Sequence, residues 1–127
     1  NVSDDALPRR FDLIVIDTSF ISVLTILARA RAFVRPNGTI IALVKPQFEA
    51  GRERLCGGGV VRDPEVHRDV LREVRDGVSA LSLVPTKLVA SPLLGPAGNR
   101  EFLLLLLMSG AALDDASIDA VVAAPSA

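Results

Sequence analysis

Apolar residues along this chain gather into short continuous runs, separated by polar stretches that glycine and proline punctuate. The run FDLIVID, Phe11 to Asp17, is β-branched and ends in an acid. Such an unbroken run suits a strand covered on both faces, as in a parallel sheet. From about Ile21 to Val34 the spacing becomes helical: Ile21, Leu24, Leu27 and Ala28 share a face, and Arg29, Arg31 and Arg35 can reach solvent. Pro36-Asn37-Gly38 reads as a turn, and TIIALV, Thr39 to Val44, as a second buried strand. Strand, helix, turn and strand in succession make a βαβ unit with a right-handed crossover.

Gln47 to Val61 reads as a loop, with Gly51 and the triplet Gly57-Gly58-Gly59. Asp63-Pro64-Glu65 then opens a second helix, with Asp63 as N-cap and Pro64 at the first helical position. Val66, Val70, Leu71, Val74 and Val78 form its apolar stripe. A third strand falls within Leu83 to Ala90, and Pro85 gives it an edge position or a late start. Ser91 to Arg100 is another loop. Glu101 to Met108, EFLLLLLM, reads best as a last buried strand, though periodicity alone leaves a short buried helix open. Residues 1–110 thus make one α/β unit, and the Ala-, Asp- and Ser-rich residues 111–127 a loose tail.

Composition narrows the class. A chain of 127 residues is one domain's worth of protein, and half of it is apolar, enough for an ordinary core. The net charge of −1 neither argues for nucleic acid nor excludes a local basic site. The single cysteine, Cys56, permits no internal disulfide and suits a reducing, cytoplasmic setting. Asn1 to Arg10 carries Asp4, Asp5, Arg9 and Arg10 and does not read as a secretory signal. The longest apolar run, Phe102 to Met108, is far below the roughly 20 residues that span a bilayer. No segment is amphipathic, basic and aromatic enough to lie in a membrane interface.

Three polar residues stand at strand junctions: Asp17 after FDLIVI, Lys45 after IIALV, and Glu101 before FLLLLLM. Ligands of open α/β sheets bind outside the carboxyl ends of the parallel strands, where Asp17 and Lys45 would both lie. A Glu101 strand running antiparallel brings all three to one edge, as a lysine between two carboxylates placed to take or share a substrate proton. Each residue alone could equally be an ordinary strand-end charge meeting solvent. Only Lys45 and Lys87 are lysine among fourteen basic residues, and lysine, unlike arginine, can give up its proton.

IDTSFIS (Ile16 to Ser22), VKPQFEAGRE (Val44 to Glu53), GGVVRDPEVH (Gly58 to His67) and GPAGNREFLL (Gly95 to Leu104) resemble the hemolysin A family. Its members are FtsJ-like ribosomal RNA 2′-O-methyltransferases that use S-adenosylmethionine. The resemblance covers roughly Phe11 to Met108, in the family's motif order. It implies a Rossmann-like methyltransferase fold, a three-layer sandwich with a mainly parallel sheet and an antiparallel last strand. It also implies a Lys-Asp-Lys-Glu tetrad, of which Asp17, Lys45 and Glu101 match the aspartate, the second lysine and the glutamate. Lys45 would then orient and deprotonate a ribose 2′-hydroxyl, with Asp17, Ser19 and Phe20 on the cofactor side. Gln47, Phe48, Arg52 and Asn99 would lie on the substrate side, Phe48 as a stacking face. A lysine's ordinary pKa near 10.4 is too high for a base at neutral pH; desolvation lowers it and carboxylates raise it.

The family's S4-type RNA-binding domain, first strands, glycine-rich cofactor loop and first tetrad lysine have no counterpart in this chain. Such a half-domain is expected to expose a sheet edge and to self-associate or pair with another chain. Ribosomal RNA is the implied partner, and a non-catalytic RNA-associated or interaction domain is the alternative.

Other signals are weaker. The glycine triplet lacks a following Lys-Ser/Thr and reads as a mobile loop rather than a phosphate cradle. Arg52, Arg54 and Arg62 could touch phosphates, but Glu49, Glu53 and Asp63 intersperse them as on a solvated surface. His67, the only histidine, reads as a surface or capping residue. One histidine and one cysteine make no metal cluster, and no serine–histidine–acid spacing emerges.

Overall fold

The computed structural model describes residues 11–55 and 57–124. Four strands, β1 (Phe11–Ile16), β2 (Val34–Val44), β3 (Val84–Ala90) and β4 (Phe102–Leu107), form one sheet in the order β1-β2-β4-β3. β1 pairs with β2 in parallel; β4 runs antiparallel to both β2 and β3. The last strand is reversed as expected, but one neighbouring pair of three is parallel, so the sheet is mixed rather than mainly parallel. Pro85 lies in edge strand β3, with a register shift just after it.

β2 is longer than the apolar run TIIALV. It begins at Val34 and carries Pro36-Asn37-Gly38 inside the strand rather than as a turn before it. The ladder absorbs the extra residues as an irregularity, stepping from Phe11 opposite Val34 to Leu13 opposite Thr39.

Helix α1 (Val23–Ala30) is shorter than the helical pattern suggested, because Ser22 caps it: the Ser22 hydroxyl accepts from Leu24 N at 3.2 Å. α3 (Pro64–Ala80) starts as its sequence dictates, with Asp63 accepting from Glu65 N at 2.9 Å and Pro64 in the first turn. It stops in a Schellman turn, Ser82 N donating to Ser79 O and Leu83 N to Val78 O. Ser82 holds the left-handed position there (φ 63°) that glycine usually fills. Gly77 lets α1 and α3 approach, since a Cβ on it would lie 2.6 Å from Leu24 Cδ1.

Residues 111–124 are not simply a tail, and residues 125–127 lie outside the described residues. Asp115–Ala123 form helix α4, with Asp114 as N-cap and Ile118 and Val122 buried. Arg72 and Arg75 on α3 pair with Asp119 and Asp115 at 2.8 and 2.6 Å, and Arg100 donates to the carbonyls of Val121, Val122 and Ala124. These bonds satisfy the orphan carbonyls of the last turn.

One face of the sheet holds the core. Ile40, Ala42, Val44, Phe102 and Leu106 are fully buried there, packed with Leu27 of α1 and Val70 and Val78 of α3. Deleting a ring such as Phe102 from such a core costs about 3–5 kcal/mol. The opposite face carries no helix among the described residues. Leu13 and Val15 are 54% and 66% exposed, Val89 is exposed, and Ile41, Leu43, Leu103 and Leu105 are only half-buried. The expected three-layer sandwich is therefore two layers here, and β1 is an edge strand, not one covered on both faces. No helix among the described residues is long and apolar enough to cross a membrane.

Candidate active site

The strand directions decide where the polar junction residues meet. β1 and β2 are parallel, so Asp17 and Lys45 leave the sheet at the same edge; β4 is antiparallel, so Glu101 enters at that edge. Val44 lies opposite Phe102, which makes Lys45 and Glu101 neighbours across the ladder's end.

The lysine is held. Its Nζ lies 2.6 Å from Asp17 Oδ1 and donates to Ser19 Oγ at 3.2 Å. The Lys45 side chain is 12% exposed against 63% for Asp17, so the lysine stem is covered and the carboxylate lies at the rim. An exposed ion pair contributes about 0–1 kcal/mol to stability, too little to account by itself for a lysine brought in this far.

Glu101 does not complete a three-group cluster. It forms no ion pair with Lys45; its Oε2 instead accepts from Gln47 Nε2 at 2.7 Å. Gln47 and Glu101 are 8% and 7% exposed. Gln47 rides on α2 (Pro46–Glu49), a single turn that begins right after Lys45 in what the sequence suggested was loop. Gln47 is therefore turned inward, onto Glu101.

Asn99 is likewise turned inward, and 2% exposed. Its Oδ1 accepts from Val61 N at 2.9 Å, and its Nδ2 donates to Gly59 O at 3.1 Å and Pro96 O at 3.0 Å. It thus pins the glycine-rich loop to the turn that precedes Glu101. Gly95 in that turn packs directly on the Glu101 carboxylate, where a Cβ would overlap Oε2.

Phe20 is 88% exposed with φ 66°, an uncommon conformation for a bulky side chain, and its ring rests on Phe48 at 4.8 Å. Arg52 has its side chain outside the described residues. Arg54 is committed to Glu73 and to Ala50 O, while Arg62 is exposed.

Two further residues shape the edge. Glu49 accepts from Ser22 Oγ at 2.7 Å and from Val23 N at 2.8 Å, so a carboxylate on α2 caps α1 and closes the Ser19–Ile21 turn. His67 is buried, not a surface group: Nε2 donates to Val61 O at 3.0 Å, and its ring meets Phe102 edge-on at 5.8 Å. Burial holds its pKa below the ordinary 6.5, partly offset by that hydrogen bond. No group of three or more His, Cys, Asp or Glu residues suited to a metal occurs among the described residues.

The chain matches the family model described as FtsJ-like methyltransferase over residues 1–107. It is 35% identical over 130 residues to the 16S/23S rRNA (cytidine-2′-O)-methyltransferase TlyA of Mycobacterium tuberculosis, covering 98% of this chain and 48% of that protein. It is 47% identical over 95 residues to YqxC of Bacillus subtilis, covering 75% of this chain and 34% of the other. A crystal structure of a hemolysin-like protein from Lactococcus lactis superposes with a TM-score of 0.82 at 40% identity, over 89% of this chain and 55% of that one. The chain thus spans about half the length, or less, of the relatives it matches.

Proposed function

The chain belongs to the FtsJ-like methyltransferase family, in its TlyA/hemolysin group, and we propose that it carries the proton-transfer half of a ribosomal RNA ribose 2′-O-methyltransferase site. One observation supports this above the others. The Lys45 side chain is largely buried, and Asp17 and Ser19 hold its Nζ at the edge where strands β1 and β2 end. That edge is where α/β sheets place their ligands.

In this reading Lys45, once neutral, accepts the proton of a ribose 2′-hydroxyl: the O–H bond breaks and an N–H bond forms. Asp17 and Ser19 fix the direction of Nζ, and Glu101 on the neighbouring strand accepts the hydrogen bond of the same hydroxyl before its proton passes to Lys45. General-base assistance of this kind is worth about 10²- to 10⁴-fold, and holding the reacting groups in place can contribute as much again. S-adenosylmethionine would supply an electrophilic methyl group. The residues present suit it, for Asp17, Ser19 and Phe20 leave a carboxylate, a hydroxyl and a largely exposed ring at that edge. Phe48 and Arg52 remain the candidate contacts to RNA, and Asn99 acts by shaping the turn before Glu101.

The bare apolar sheet face and the β1 edge support association with a second copy or with another chain. A monodisperse monomer in size-exclusion with light scattering, at about ten micromolar or above, would contradict that expectation. For the catalytic reading, this segment can replace the matching stretch of the Mycobacterium tuberculosis relative, with labelled methyl transfer to ribosomal RNA as the readout. Transfer that vanishes in Lys45→Ala is the expected result; full activity in that variant overturns the assignment.

A further inference from the structure

Glu101 is a buried carboxylate that no cation among the described residues neutralises. Buried charges are normally paired, so its environment calls for an explanation. The one polar partner of its carboxylate among the described residues is the neutral amide of Gln47. Oε2 is clamped between that amide and the backbone of Gly95, which has no Cβ to intrude. Among the described residues no hydrogen bond reaches Oε1.

Gln47 is held at some disadvantage to itself. Its Oε1 is buried without a partner, a state that disfavours the fold. Leucine or methionine would fill the same space with no unpaired oxygen. What the amide supplies, and an apolar side chain could not, is the donor to Glu101. Gln47 also follows Lys45 by two residues on the same backbone turn. It therefore ties the position of the lysine-bearing strand end to the carboxylate across the β2–β4 ladder.

We propose that Gln47 is a positioning residue: it fixes the Glu101 carboxylate so that Oε1 stays free for a ribose hydroxyl facing Lys45. The inference rests on the methyl-transfer reading above but is separable from it. In the chain alone, the Gln47 side-chain amide protons exchange slowly with solvent, and Glu101→Ala makes them exchange freely; fast exchange in the unaltered chain overturns the proposal.

In the chimeric enzyme, Gln47→Met lowers kcat by about 10- to 100-fold, with KM for RNA changed by less than about threefold. Gln47→Glu is the discriminating variant. It sets two carboxyl groups side by side, which can share one proton only at lower pH. Its deficit against the unaltered enzyme therefore shrinks as pH falls from 9 to 6, whereas that of Gln47→Met stays constant. Two parallel, pH-independent deficits, or near-normal kcat in Gln47→Met, overturn the positioning role and leave the Lys45 assignment standing. No methyl transfer with every site residue intact overturns both.

Discussion

Replacing Asn99 with alanine tests whether one buried amide holds the architecture behind Glu101. The substitution removes three hydrogen bonds. They are not equal. Val61 is 2% exposed, so its N–H is left buried and unpaired, at about 1–3 kcal/mol. The Gly59 carbonyl belongs to an exposed residue and can turn to water, and Pro96 O keeps the backbone N–H of residue 99, so the two lost bonds cost about 0.5 kcal/mol each. Together these give about 3 kcal/mol, a large share of the 5–15 kcal/mol typical of a domain. With a urea m-value of about 2 kcal/mol/M, the midpoint should fall by about 1.5 M at unchanged m. Exchange of the Val61 amide proton should accelerate together with it. A midpoint within about 0.3 M of the unaltered chain, or a Val61 amide still protected, would refute the claim that Asn99 pins the loop.

Glu49→Ala removes the side-chain cap that α2 lends to α1; a loss of about 1–2 kcal/mol is expected from urea denaturation, and Glu49→Gln should recover part of it. Stability should also fall with pH on account of His67. Its folded pKa lies below the ordinary 6.5, so the unfolded chain binds the proton first and the folded state loses ground as pH drops beneath about 6.5. Urea midpoints from pH 8 to 5.5 should show that decline, flatter in His67→Gln; equal slopes would contradict it. Arg100→Ala should free the C-terminal carbonyls of α4, seen as faster amide exchange in 118–124 with α3 unaffected.

The sequence carried the strand cores and the start of α3 because those signals are local. Apolar runs mark the strands, and Asp63-Pro64-Glu65 caps a helix with its own side chain. The convergence of Asp17, Lys45 and Glu101 on one edge followed from strand direction alone. Contacts between distant residues were not legible. Glu49 caps a helix that begins 26 residues earlier, and Gln47 reaches a carboxylate 54 residues away. α4 escaped notice because only Ile118 and Val122 are buried along an alanine-rich turn, and its remaining ties are ion pairs to α3. The bare sheet face was equally hidden. A run such as FLLLLL reads the same whether one face or both are covered, and only the alternation of buried and half-buried positions along β4 tells them apart. His67 looked like a helix-surface group because its partner, the Val61 carbonyl, lies before the helix begins.

The most direct test of the central claim is where the methyl group lands. Ribosomal RNA treated with the chimeric enzyme and labelled S-adenosylmethionine can be hydrolysed in alkali, which cleaves at every ribose that keeps a free 2′-hydroxyl. Label in alkali-resistant dinucleotides, present with Lys45 and absent in Lys45→Ala, is the result this account predicts. Label in ordinary mononucleotides, carried on the base, would contradict it.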